Sequence, residues 1–148
     1  MPDKYHITLA FLGPLVSEQI QKVKEALNAV KFRSFFLNIG GVNKFPAKGT
    51  PSVIWVGFGQ GVFYLNQLHR LIYDSILQFG FVPEYCKFVP HITVGRCDKG
   101  ADESVRQFLK KNQNFETAPI KVEQFHLFES QRNSNYHGYA ILETFFMQ

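Results

Sequence analysis

The sequence lacks any run of about 18 consecutive apolar residues, so we expect no membrane-spanning helix. The opening residues Met1-Pro2-Asp3-Lys4 lead into no apolar segment of the kind found in secretory signals, and no low-complexity tract interrupts the chain. Cysteine is scarce: Cys86 and Cys97 are too few for a disulfide framework and are not spaced as metal ligands. These absences predict a cytoplasmic protein in which residues 1–148 form a single domain with two idle thiols.

Phenylalanine, by contrast, is abundant. The 148 residues include 16 phenylalanines, and 45% of the chain is hydrophobic, which is enough for a sizeable core. We expect most of the phenylalanine rings to be buried and a few to act as stacking platforms. The net charge of +4 suits a phosphate-bearing partner, although many proteins with other partners carry a similar charge.

Hydrophobic periodicity divides the chain into strands and helices. The apolar positions Ile20, Val23, Leu27 and Val30 recur at spacings of three and four, which is typical of an amphipathic helix. Loops are indicated where Gly, Pro and polar residues cluster. The predicted helices are 17–32, 62–79 and 101–112, the predicted strands are 4–12, 34–42, 52–58, 88–97, 120–130 and 139–146, and the predicted loops include 43–52 and 131–138.

The tripeptide His-Ile-Thr occurs twice, beginning at His6 and at His91. The copies are 85 positions apart (91 − 6), and each one opens the same order of strand, helix, strand and strand. Such a duplication predicts that the two motif strands are related by a pseudo-twofold axis, with their histidines facing each other across one cleft. A strand and a helix precede the second copy but only five residues precede the first, so we expect a strand–helix unit to be missing before Met1.

The repeated motif carries a set of side chains suited to phosphate chemistry. Because residues at i and i+2 of a strand share a face, we expect His6 to lie beside Thr8 and His91 beside Thr93. An imidazole titrates near neutral pH, so one ring is able to accept a proton while another donates one. Hydroxyl groups donate hydrogen bonds to phosphate oxygens as charge develops on them. These groups favour an in-line displacement at phosphorus and predict no metal or other cofactor.

The pair HITLAFLG and HITVGR, together with the stretches GGVNKFPAKGTPSVIWVGF and FGFVPEYCKFVPHITVGR, resembles the 2H phosphoesterase superfamily. Within it the chain looks most similar to the branch of 2′-5′ RNA ligases, or RNA 2′,3′-cyclic phosphodiesterases, and the resemblance extends from Lys4 to the end. It implies a bilobal α+β fold around a central cleft and hydrolysis of a 2′,3′-cyclic phosphate to a 2′-phosphate. It also implies a reversible RNA-joining activity, with RNA ends or small cyclic nucleotides as the partners.

The resemblance further implies a role for each motif residue. His6 would be the general acid and His91 the general base, while Thr8 and Thr93 would hold the phosphate. The family also has an aromatic residue and an arginine five positions after the first and second histidine. An offset of five places a residue on the opposite face of a regular strand, so these side chains reach the cleft only where the strand ends, twists or bulges. The two positions are Phe11, expected to stack on a base, and Arg96, expected near the phosphate.

Residues outside the motifs carry weaker signals. His69 and His126 have no paired motif and are predicted to be surface or packing residues, and Trp55 is predicted to be a core residue. For two loops, substrate contact and simple solvation both remain open, and solvation is the usual state of a basic loop such as the first. Their candidate side chains are Lys44 and Lys48 in the first loop and Arg132, Tyr136 and His137 in the second.

Three functions remain open at this stage. The leading one is a metal-independent cyclic phosphodiesterase that acts on RNA ends or small nucleotides. The second is a non-catalytic module that binds RNA or nucleotides in the same cleft. The third is an enzyme of the same mechanism that acts on another cyclic phosphate, such as an ADP-ribose derivative.

Overall fold

The computed structural model describes residues 5–83, 87–135 and 137–148, which fold into three helices and seven strands. All strand pairings are antiparallel, so the predicted α+β class is confirmed. The helices are α1 (Ser17–Asn28), α2 (Val62–Gln78) and α3 (Asp102–Lys111). The strands are β1 (Phe35–Leu37), β2 (Ile39–Phe45), β3 (Ser52–Phe58), β4 (Ile92–Cys97), β5 (Ile120–Val122), β6 (Gln124–Arg132) and β7 (His137–Phe146).

The described strands form three separate sheets. β2, β3 and β4 make a three-stranded sheet with β3 in the centre, and β6 pairs with β7 as a long hairpin. The short strands β1 and β5 pair with each other, which joins the first half of the chain to the second. The three-stranded sheet therefore takes its last strand, β4, from the half that contains β6 and β7.

The spacing of the elements confirms the predicted internal repeat. α1 and α3 begin 85 positions apart (102 − 17), and so do β1 and β5 (120 − 35). The same offset of 85 relates β2 to β6 (124 − 39) and β3 to β7 (137 − 52). It equals the offset between the two motif histidines, so α1, β1, β2 and β3 recur in the same order as α3, β5, β6 and β7, whereas β4 has no strand as its counterpart among residues 5–12.

The main core lies where α1 and α2 cover the paired strands of both halves. α2 presents an apolar residue at every third or fourth position, and its Leu68 is only 1% exposed. The buried residues of this cluster come from both helices, β1, β6 and β7, and are Val23, Leu27, Phe35, Leu37, Leu65, Leu68, Ile72, Ile76, Phe125, Leu127 and Phe145. Because α2 is anchored on this core, the backbone positions from which its other side chains project are fixed.

Gly61 sets the start of α2. It precedes the helix with a φ of 88°, in the left-handed region that L side chains rarely adopt. A Cβ atom at this position would also collide with the carbonyl oxygen of Phe36. Only glycine therefore allows β1 to pass this close to the beginning of the helix.

The predicted strand at 4–12 is wrong for the residues that the structure describes. Residues 5–12 belong to no strand, pair with none of the strands described, and bend at Leu9. Ile7, Leu9 and Leu12 nevertheless pack against the core. Alternating side chains require only an extended backbone, whereas a strand also needs a hydrogen-bonded neighbour, which the local pattern does not specify.

Several predicted boundaries also differ from those observed. The strand expected at 34–42 is divided at Asn38, whose side-chain amide donates to Glu116 (2.6 Å), and the strand expected at 120–130 is divided between β5 and β6. The β6–β7 hairpin reaches further than predicted and shortens the loop expected at 131–138. β2 continues to Phe45, so the loop expected from Asn43 begins later, and β4 begins only at Ile92.

No helix in the described part of the chain is long and apolar enough to cross a membrane. Cys97, at the end of β4, is half-buried and has a free thiol. Cys86 lies outside the described residues.

Candidate functional site

The histidine of the second motif packs against two aromatic side chains. His91 lies one residue before β4, and its ring meets those of Phe45 and Trp55 edge-on, at centroid distances of 5.3 and 5.9 Å. Phe45 and Trp55 stack on each other at 4.8 Å. These contacts between neighbouring strands fix the plane of the imidazole. They also correct the prediction for Trp55, which is half-buried beside the motif rather than in the core.

A hydrogen bond determines which ring nitrogen of His91 carries the proton. Its Nδ1 lies 2.6 Å from the carbonyl oxygen of Val89. Because a carbonyl oxygen only accepts, Nδ1 must carry the hydrogen and donate it. The neutral ring then has its lone pair on Nε2, which is the atom available to take a proton from another molecule.

A bulge in β4 places Arg96 on the same face of the sheet as Thr93. Thr93 lies opposite Trp55 and Arg96 lies opposite Val53, and the register shifts between these pairs. Three positions separate the two residues on β4 but only two separate their partners on β3, so β4 contains one extra residue here. Trp55 and Val53 share a face because they are two apart, and residues directly opposite them share it too. The offset of five that would otherwise direct Arg96 away is thereby corrected.

The face thus collects an imidazole, a hydroxyl and a guanidinium in one row along β4. Phe45 lies opposite Val53 and belongs to the same face. Thr93 is half-buried and Arg96 is exposed. No acidic side chain in the described part of the chain forms an ion pair with Arg96, so its charge is available to a phosphate.

The histidine of the first motif contacts the β6–β7 hairpin. The ring of His6 lies 4.6 Å from that of Tyr139 on β7 and 6.4 Å from that of Phe128 on β6. His91 makes the corresponding contacts with β2 and β3, the strands that the repeat makes equivalent to β6 and β7. Each motif histidine therefore packs against two rings, one from each strand of an antiparallel pair. The two strand pairs are equivalent in the internal repeat.

Thr8 and Phe11 follow His6 in the segment that is not a strand. Both are exposed, and the ring of Phe11 keeps 54% of its surface accessible. Strand alternation does not determine the direction of Thr8, because residues 5–12 make no ladder with a described strand. The exposed ring of Phe11 is open to stacking with a planar group.

α2 brings the two motif segments together. Nδ1 of His69 lies 2.6 Å from the carbonyl oxygen of Leu9, in the first segment. The same ring stacks on Phe88, in the second segment, with centroids 3.8 Å apart and an interplanar angle of 8°. His69 was predicted to be a surface or packing residue, and nothing in its local sequence indicates that it would meet both motifs.

Other candidates have partners of their own. Lys44, near the end of β2, donates from Nζ to the carbonyl oxygen of Gly49 (2.8 Å) in the loop that follows. His126 Nδ1 lies 3.0 Å from the hydroxyl of Thr144, as expected for a structural residue. The remaining loop candidates Lys48, Arg132 and His137 are exposed, and Tyr136 lies outside the described residues. Across residues 5–83, 87–135 and 137–148 no group of three or more His, Cys, Asp or Glu side chains is placed to hold a metal ion.

Comparison with known proteins gives consistent relatives. The sequence profile of the 2′-5′ RNA ligase superfamily matches residues 3–134. An RNA 2′,3′-cyclic phosphodiesterase of Archaeoglobus fulgidus is 32% identical over 129 residues, covering 87% of this chain and 72% of the relative. One of Aquifex aeolicus is 27% identical and covers 99% of this chain and 79% of the relative.

Solved structures show the same fold. The crystal structure of Escherichia coli LigT complexed with 3′-AMP superimposes with a TM-score of 0.77 at 21% identity, covering 99% of this chain and 79% of that one. The Thermus thermophilus protein TT0787 gives a TM-score of 0.78 at 22% identity, again covering 99% and 79%. The α+β fold expected from the sequence is therefore shared with these structures.

Proposed function

Because the chain belongs to the 2′-5′ RNA ligase superfamily, we propose that it hydrolyses RNA 2′,3′-cyclic phosphates to 2′-phosphates. The observation that carries the proposal is the face of β4 on which Thr93 and Arg96 follow His91, next to an imidazole nitrogen with a defined lone pair. Relatives that share most of the chain carry the name RNA 2′,3′-cyclic phosphodiesterase, which supports the same substrate class.

His91 acts as the general base. Its Nδ1–H is held by the carbonyl oxygen of Val89, so Nε2 receives the proton of a water molecule as that water attacks phosphorus. The new bond joins the water oxygen to phosphorus. The bond from phosphorus to the ribose 3′ oxygen breaks, and the phosphate stays on the 2′ oxygen.

His6 acts as the general acid toward the departing 3′ oxygen, which leaves as a hydroxyl group once it is protonated. Its ring packs against Tyr139 and Phe128, which restricts its orientation. The proton taken by His91 and the proton given by His6 balance over the cycle, and exchange with water restores both rings.

The phosphate and base are held by the other motif residues. The hydroxyls of Thr8 and Thr93 donate to non-bridging oxygens, and the guanidinium of Arg96 stabilises the charge that grows on them in the transition state. The exposed ring of Phe11 stacks on the nucleobase. If the 5′-hydroxyl of a second RNA replaces water as the nucleophile, the same displacement forms a 2′-5′ linkage, which is the RNA-joining reaction.

The test is incubation of the purified protein with a 2′,3′-cyclic mononucleotide in the presence of EDTA, with the product phosphate position read by chromatography. We expect a 2′-phosphate, and we expect His6→Ala and His91→Ala each to lower kcat by about 10²- to 10⁴-fold. Arg106→Ala is the control, because it removes an exposed side chain whose ion pair with Glu103 lies within α3 and which takes no part in the proposed reaction.

Three results would overturn the proposal. Salt-dependent RNA binding without turnover would identify a binding module. Turnover of an ADP-ribose cyclic phosphate without turnover of cyclic nucleotides would identify a different substrate. Equal rates in the wild type and both motif variants would show that the histidines are not the catalytic groups.

A further inference from the structure

The imidazole of His69 contacts both motif segments at matching distances along the chain. Its bond partner Leu9 lies three residues after His6, and its stacking partner Phe88 lies three residues before His91. The ring is half-buried on α2, the helix whose other face is anchored in the core. One rigid ring therefore connects the backbone of the first motif to the approach of the second.

The hydrogen bond is a directional anchor for the first segment. The carbonyl oxygen of Leu9 only accepts, so Nδ1 of His69 carries the hydrogen and donates it over 2.6 Å. Residues 5–12 form no ladder with any described strand, so this bond supplies a directional contact that no such ladder provides. Its loss would leave apolar packing and the ring contacts of His6 to hold the segment, without the bond that fixes the backbone at Leu9.

The face of the His69 ring that stacks on Phe88 fixes the second motif segment. Centroids 3.8 Å apart and planes within 8° leave Phe88 little freedom to slide or tilt against the imidazole of His69. Phe88 and His91 are joined by only two residues, so a change in the stack is transmitted to the approach of the motif.

We propose that His69 is a positioning residue that sets the first motif relative to the second, so that His6 and His91 act on the same phosphate. The inference rests on the proposed cyclic phosphodiesterase function. It assigns His69 no contact with the substrate. Its effect comes through geometry, because a misplacement of about 1 Å in a catalytic group costs on the order of 10²-fold in rate.

Three substitutions separate the two contacts of His69. His69→Phe keeps an aromatic ring for the stack but has no donor for Leu9. His69→Asn places an amide N–H the same number of bonds from Cβ as Nδ1, so it keeps the donor and loses the ring. His69→Ala loses both. Arg70→Ala is the matched control on the same helix, since its side chain is exposed and its ion pair with Asp74 faces solvent.

For the cyclic mononucleotide we expect His69→Phe and His69→Ala to lower kcat by about 10- to 100-fold with little change in KM. His69→Asn loses only the stack on Phe88 and should lower kcat less than His69→Ala, which loses both contacts, and Arg70→Ala should match the wild type. Rates are compared well below each unfolding midpoint, determined by circular dichroism, so that loss of folded protein does not contribute.

A second readout is independent of turnover. The imidazole nitrogen and carbon resonances of His6 and His91 are recorded by NMR in the wild type and in each variant. We expect the His6 signals to shift in His69→Phe and to return in His69→Asn. Unmoved His6 and His91 signals in folded His69→Ala would overturn the inference, as would an unchanged kcat in an active protein. A wild type without turnover would overturn the proposed function instead, and the NMR comparison would still decide whether His69 positions the motifs.

Discussion

The extra residue in β4 gives a test of how Arg96 reaches the site. Thr93 lies opposite Trp55 and Gly95 lies opposite Ile54, so Val94 is the residue without a partner in the ladder. We predict that deletion of this valine leaves both pairs intact and produces a regular strand. The valine is 38% exposed and is not among the residues of the main core, so its removal leaves that core in place.

The deletion variant should keep Arg96 in place. In a regular strand without Val94, the guanidinium stands four positions after His91 and two after Thr93, on their face. An alanine inserted between Gly95 and Arg96 should do the opposite, because it leaves the bulge before Gly95 in place and moves Arg96 from opposite Val53 to opposite Ser52, on the other face. The two variants thus change the length of the same strand by one residue each, with opposite expected effects on catalysis.

The magnitude follows from the interaction that is lost. A hydrogen bond to a charged group contributes about 1.5–3 kcal/mol, which corresponds to about 10- to 150-fold in kcat/KM. Arg96 is exposed, so solvent screening favours the lower end of this range. We expect Arg96→Ala and the alanine insertion to fall within it, and the deletion of Val94 to stay within about threefold of the wild type.

The assay is steady-state hydrolysis of a 2′,3′-cyclic mononucleotide, with folding of each variant checked by circular dichroism. Adding Arg96→Ala to the insertion variant should cause no further loss, because the side chain no longer reaches the phosphate. The reasoning is refuted if the folded deletion variant loses as much activity as Arg96→Ala. It is equally refuted if Arg96→Ala lowers activity further in the insertion variant.

Two other predictions concern single positions. Gly61→Ala should lower the free energy of unfolding by about 2–5 kcal/mol, because the position combines a positive φ with a collision at Phe36. Gly80 also has a positive φ but has open space around it, so Gly80→Ala should cost only about 1–2 kcal/mol. Urea titrations compare the two variants, and equal losses of stability would contradict the collision. Tyr139→Leu should lower kcat in the cyclic mononucleotide assay by about tenfold, because it removes the ring that packs against His6. Tyr139→Phe keeps the ring and should match the wild type. Equal rates in the two variants would contradict an orienting role for the ring.

The repeat was predictable from the sequence because every signal behind it is local. Helical spacing, turn residues and the recurring His-Ile-Thr depend on neighbours within a few positions, and duplication preserved their order at a constant offset of 85 (120 − 35 for β1 and β5). The pairing of β1 with β5 was not predictable in this way. It joins residues from opposite halves, and the local pattern of either strand is silent about its partner.

The rings around His91 illustrate what the sequence left undetermined. Trp55 alternates with Ile54 and Val56, both buried, so a period of two already placed it on the other face of β3. That pattern did not reveal whether the other face was core or cleft, because both tolerate an aromatic residue. Only the position of β4 beside β3 decides that this face receives His91.

The two halves are equivalent in order but differ in how they support their histidines. His91 stands next to a hydrogen-bonded strand, and its Nδ1 proton is committed to Val89. His6 stands in a segment held by ring contacts and by the bond from His69 to Leu9. A pseudo-symmetric pair is free in principle to exchange acid and base roles, so symmetry alone assigns neither. The bond at Val89 leaves Nε2 of His91 as an acceptor in the neutral ring, which is the state that the proposed role of base requires.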